Sequence, residues 1–258
     1  MPRFRLDACA VHIGSTAATA PAAPLPPRSF PYDAVERMTR IAGLAGVQTQ
    51  SQTALFGADA TVEAVRRTLA TAADVLVPDG LFVLSFAGHG RQIPDEDDDE
   101  ADGYDEAWVL ADGLLVDDEL SRALARFPAT AQVVVVSDCC YSGGIDDDVP
   151  APSPAVRARR ITEPPVPPRR RRRRATTPVV VLAACGEDQT RVITPRSRLS
   201  KMIEEIVFPG GVRNDNCASY AQLEQELQAR SPDAERPVVW SPEPAIRDLR
   251  PFDLGSRG

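Results

Sequence analysis

Two hydrophobic periods take turns along this chain. Phe4 to Ile13 alternates loosely with a period of two and stops at Gly14, which predicts a first strand. Asp33 to Leu44 places Val35, Met38, Ile41 and Leu44 at helical spacing, with Gly46 just beyond. A second strand is expected over Val47 to Phe56, and a second helix over Thr61 to Val77, where Val62, Val65, Leu69, Ala72 and Ala73 share a face. Pro78-Asp79-Gly80 then turns the chain into the apolar run Leu81 to Phe86. Trp108 to Leu110 and Leu114 to Val116 form a short hairpin turned at Asp112-Gly113. Asp117 is placed to cap a helix running through Phe127. Val133 to Val136 and Val179 to Ala184 are unbroken apolar runs of the kind that fill a parallel sheet. Helices are expected at 197–207 and 219–229, and a last strand at Val238 to Trp240. Strands alternating with helices predict an α/β chain, a three-layer α/β/α sandwich around a mostly parallel sheet.

The pattern breaks in two places. Residues 95–106 hold nine acidic residues in twelve, a block in which each carboxylate needs water, a cation or a basic partner. From 146 to 177 the chain has seven prolines between Pro150 and Pro168 and then six successive arginines, Arg169 to Arg174. That composition reads as an exposed linker between region 1–145 and region 178–258.

Composition narrows the function classes. With 258 residues, 43% hydrophobic and 26% charged, the chain reads as ordinary globular protein, and its net charge of -8 argues against nucleic-acid binding. Five cysteines without a CxxC pair do not form a disulfide framework. Asp7 and His12 interrupt the amino-terminal apolar residues, so no secretory signal is expected. No apolar run long enough for a membrane span is present either, and a cytoplasmic location is expected.

The candidate chemistry lies where two apolar runs end. One ends in Gly88-His89-Gly90, the other in Asp138-Cys139-Cys140-Tyr141-Ser142-Gly143-Gly144. Ligands of open parallel sheets bind at the carboxyl ends of the strands, so a thiol and an imidazole leaving two such ends can meet there as nucleophile and base. The glycine-rich turn after Cys140 would leave amides able to stabilise an oxyanion. Singly, Cys140 reads as a buried thiol and His89 as a loop histidine; together, flanked by glycines, they read better as a pair. His12, inside a strand, carries no expected role.

These motifs resemble the metacaspases, caspase-like cysteine peptidases of clan CD, family C14. The resemblance rests on Ser85-Phe86-Ala87-Gly88-His89-Gly90, Asp102-Gly103-Tyr104-Asp105-Glu106, Asp117-Asp118-Glu119-Leu120, Asp138 to Gly143, and Leu182 to Gln189 in that order. It implies a caspase-haemoglobinase-like sandwich with a six-stranded sheet and an endopeptidase cutting after Arg or Lys. His89 would be the base and Cys140 the nucleophile; Gly90 and Cys140 would form the oxyanion hole, and Asp33 and Asp138 the S1 pocket. Tyr141, Ala87 and Phe30 stand where the family usually has His, Ser and Cys, so pocket lining and specificity would differ. The family also implies calcium, at Asp105, Asp117, Asp118 and Asp147. Asp117 as a simple cap and 95–106 as a solvated acidic face are the plainer readings of those residues. The arginine run would be a self-cleavage segment between Arg157 and Arg174, a strap docking on the acidic block, or a basic tether. The expected partners are peptides or proteins, the expected state is a monomer, and the competing expectation is a catalytically weak scaffold of the same fold.

Overall fold

A computed structural model of the chain describes residues 5–17, 30–94, 104–141, 177–184, 198–231, 237–241 and 243–254, with Cys140 and Tyr141 described by backbone alone. The acidic residues 95–103, Asp147, the linker through residue 176 and the motif end at 185–189 lie outside the described residues.

Among the described residues eight strands form one sheet: β1 (Leu6–Gly14), β2 (Gln52–Phe56), β3 (Leu76–Pro94), β4 (Tyr104–Val109), β5 (Leu114–Val116), β6 (Gln132–Tyr141), β7 (Val179–Ala183) and β8 (Val238–Trp240). Six of them lie in line in the order β2-β1-β3-β6-β7-β8, parallel up to β7 and antiparallel at β8. Antiparallel β4 and β5 extend the upper part of β3. The central strands are apolar on both faces because both faces are covered.

Helices α1 (Phe30–Leu44), α4 (Arg198–Val207) and α5 (Tyr220–Ala229) cover one face, where Met38, Ile41, Ile203, Tyr220 and Leu223 pack against Val83, Val134, Val136, Val180 and Leu182. On the other face, α2 (Val62–Val75) and α3 (Asp117–Leu124) bring Val65, Leu69 and Leu124 onto Phe82, Leu84, Phe86, Val133 and Val135. The three expected layers are present. Thr61 caps α2 by accepting from the Ala64 amide, and Ser219 caps α5 by accepting from the Gln222 amide, as such residues do at helix starts.

Three expectations shift. The second strand begins at Gln52, because a short 3-10 turn occupies Thr49–Ser51. The expected turn at Pro78-Asp79-Gly80 is a bulge inside β3, where the pairing with β1 slips between Leu6 and Ala8 and Asp79 takes a positive φ of 61°. At α3, Val116 holds the cap position and Asp117 is the first helical residue, its carboxylate accepting from the Asp118 amide. Among the described residues, no helix is long and apolar enough to cross a membrane.

Candidate active site

The site forms where β1 leaves the side of β3 and β4 has not yet arrived. Gly14, the last residue of β1, lies opposite Ala87, and β4 begins its pairing with Trp108 opposite Gly90. Between those two points Gly88 and His89 keep one strand neighbour, β6, in register with Cys139 and Cys140. His89 and Cys140 are thus Cα partners on adjacent parallel strands, whose axes run about 4.8 Å apart. Gly90 pairs with Tyr141 in the same ladder.

Gly88 is required by a close approach. A methyl group there would lie 2.8 Å from the Phe86 ring and 3.1 Å from Ser15 Cβ, closer than carbon atoms pack. Ser15, nearly fully buried, donates its amide to the Ala87 carbonyl and so ties the end of β1 to the approach to His89.

His89 is half-buried, and burial holds its pKa below the usual histidine value. At pH 7 its imidazole is therefore neutral and able to accept a proton. Cys139 is buried in the α2/α3-side core, with its sulfur 3.1 Å from Ser137 Oγ.

Asp138 is only 5% exposed. Its carboxylate accepts from the Ser200 amide at 3.1 Å, so it closes the first turn of α4 from a different element. Burial pushes its pKa up, while the Ser200 and Leu199 amides and the Arg37 guanidinium pull it back down. Arg37 also donates to Glu204 of α4 at 3.2 Å, and Arg40 donates to the same carboxylate. Asp33, half-buried in the first turn of α1, precedes Arg37 by one helical turn. Sequence reasoning missed Arg37, Ser200 and Glu204, because these contacts join residues 62 and 167 positions apart.

Of the expected calcium residues, Asp105 and Asp118 lie near enough to Asp117 to act on its charge, and Asp147 lies outside the described residues. Asp117 is pushed up to about 6, first by burial, then by the nearby Asp105 and Asp118 carboxylates. Asp118 is held by Arg122 at 3.0 Å. Among the described residues no three acidic, histidine or cysteine side chains converge as a metal site would require.

A second histidine also has a defined setting. His12, fully buried, contacts Ser85 Oγ at 2.8 Å and Gln52 Oε1 at 3.1 Å, linking β1, β3 and β2. Burial lowers its pKa to about 4, which keeps it neutral in the core.

The metacaspase, peptidase C14 domain family matches residues 42–149, the stretch that contains both His89 and Cys140. Over that stretch the chain is similar to the metacaspase-type C14 peptidases. A Metacaspase-1 of Coccidioides immitis is 43% identical over 74 residues, 27% of this chain and 16% of that protein. A Metacaspase-4 of Arabidopsis thaliana is 31% identical over 86 residues, 33% of this chain and 21% of that protein. The matched stretch therefore spans about a fifth or less of these curated relatives.

The fold agrees over a much longer stretch. Protein GSU0716 of Geobacter sulfurreducens superposes with a TM-score of 0.67 at 26% identity, covering 95% of this chain and 98% of that one. Caspase-1 of Spodoptera frugiperda superposes with a TM-score of 0.55 at 11% identity, over 92% of this chain and 89% of that one, a likeness of fold. The parallel pairing of β3 with β6 is what sets the His89 and Cys140 strands side by side.

Proposed function

We propose that this chain is a cysteine endopeptidase that cuts after Arg or Lys. The observation that carries the reading is the register of β3 and β6, which makes His89 and Cys140 partners at the open end of a parallel sheet. In the reaction, neutral His89 takes the Cys140 thiol proton as the sulfur attacks the scissile carbonyl carbon. The tetrahedral oxyanion collapses, the C–N bond breaks, and His89 returns the proton to the leaving amine. Water, deprotonated by His89, then attacks the thioester and releases the acid and the thiol. Backbone donors of the Gly90 and Cys140 segments serve the oxyanion.

The preference for a basic side chain is inferred from two carboxylates, Asp33 in the first turn of α1 and Asp138 near the end of β6. Asp33 would meet the substrate cation directly. Asp138, buried and engaged by the Ser200 amide, would act mainly through its charge.

Calcium fits this chain in part. Asp105 and Asp117 repel each other and would hold a cation, which would supply charge neutralisation there; Asp118 is committed to Arg122, and Asp147 lies outside the described residues. An enzyme with this specificity would also accept its own sequence between Arg157 and Arg174 as substrate.

The test is hydrolysis of an Arg-containing fluorogenic peptide. Cys140→Ala should lose activity by a factor of about 10³ or more, and His89→Ala likewise. Retained hydrolysis in Cys140→Ala would falsify the assignment. An equal rate on Arg and Asp peptides would overturn the specificity while leaving the chemistry standing.

A further inference from the structure

We propose that Trp108 is a positioning residue for the His89–Gly90 segment, an inference that rests on the reading of His89 and Cys140 given above. Gly88 has no side chain, and the space its Cβ would take is filled by the Phe86 ring. Trp108 lies against that ring, with centroids 4.5 Å apart and planes 6° from parallel. Its backbone pairs with Gly90 on one side and with Leu115 of β5 on the other, and the residue is 6% exposed.

Side chains alternate along a strand, so Phe86 lies on the α2/α3 face and His89 on the opposite one. The Phe86–Trp108 pair therefore backs the β3 backbone directly behind the imidazole, at the place where β1 has ended. Removing the indole leaves the Phe86 ring without its partner over Gly88, and the strand end carrying His89 can then settle away from β6. A displacement of that kind costs turnover much more than substrate affinity, because proton transfer depends steeply on placement.

A control stands in the same core layer. Phe127 stacks on Phe82, with centroids 4.3 Å apart, at the other end of the same strand. Phe82 lies seven residues from His89, about 23 Å along β3. Trp108→Leu and Phe127→Leu each remove one aromatic stack from one core, so a purely structural role predicts the same kinetic consequence for both.

The experiment measures kcat and KM on an Arg peptide, with thermal midpoints, for the full chain. Trp108→Leu should lower kcat about 10- to 100-fold with KM within about twofold, Trp108→Phe should restore most of it, and Phe127→Leu should keep the starting kcat. Equal kcat in Trp108→Leu and Phe127→Leu overturns the inference, as does an effect confined to KM. If Trp108→Leu does not fold, Phe86→Leu removes the same stack from the other side and should show the same loss; an unchanged kcat there overturns the inference too. Failure of the parent reading would look different, as activity surviving Cys140→Ala.

Discussion

Burial moves the pKa values of His89 and Asp117 in opposite directions, in each case toward the neutral form. For His89 the shift is downward, so the base form predominates at pH 7 and hydrolysis should lose rate only as pH falls below 6.5. A pH profile of kcat/KM checks this; an acid limb centred above 7 would contradict it. For Asp117 the shift is upward, from 3.8 to about 6. The folded chain therefore holds that proton more tightly than the unfolded one. The stability this gives is complete below about pH 4 and is lost as pH rises through 6. Asp117→Asn keeps an oxygen to accept from the Asp118 amide and removes the charge, so it should raise the thermal midpoint at pH 7.5 and change little at pH 4. Because Asp117 is only half-buried, the gain is about 1–2 kcal/mol, less than the full shift implies. Added calcium should raise the wild-type midpoint at pH 7.5 and leave that of Asp117→Asn unmoved. At this scale the sequence marked His89, Cys140 and Asp117 by their residue types and neighbours. It was silent on the partners of His12, since strand alternation reports burial and not which polar groups lie across the sheet.

Strands and helices were the most legible level. Apolar runs marked β1, β3 and β6, and helical spacing marked α1, α2 and α5 within a few residues. What could not be read was the handover at β3, where β4 replaces β1 as neighbour, because pairing register belongs to two distant segments at once. The bond from Asp138 to the start of α4 is of the same kind. Asp138→Ala would leave the Ser200 amide buried without its acceptor and should cost about 1–3 kcal/mol. Asp138→Asn, which retains an acceptor, should cost less. Urea unfolding of the two variants checks the order, and equal losses would show that the charge and not the hydrogen bond holds α4. Gly88→Ala forces a methyl group onto the Phe86 ring and Ser15 and should depress both midpoint and kcat.

Over the whole molecule, the two regions flanking the Pro/Arg-rich stretch make one core. Val134 and Val136 of β6 pack with Val180, Leu182 and Ile203 from beyond it, and Arg37 and Arg40 of α1 grip Glu204 of α4. Sequence composition suggested two regions, and the pairing of β6 with β7 joins them into a single sheet. Segments 1–145 and 178–258 co-expressed as separate chains should therefore copurify, and the shorter one alone should be insoluble because its apolar face lacks a cover. Recovery of a soluble, folded 178–258 segment by itself would refute that. The central claim, that the strand register brings an imidazole to a nucleophilic thiol, is tested most directly by mass spectrometry after treatment with an Arg-chloromethylketone. The expected result is one adduct per chain, on Cys140, formed slowly or not at all in His89→Ala. Labelling on Cys9, Cys139 or Cys217 instead, or labelling of Cys140 at an unchanged rate without His89, would contradict it.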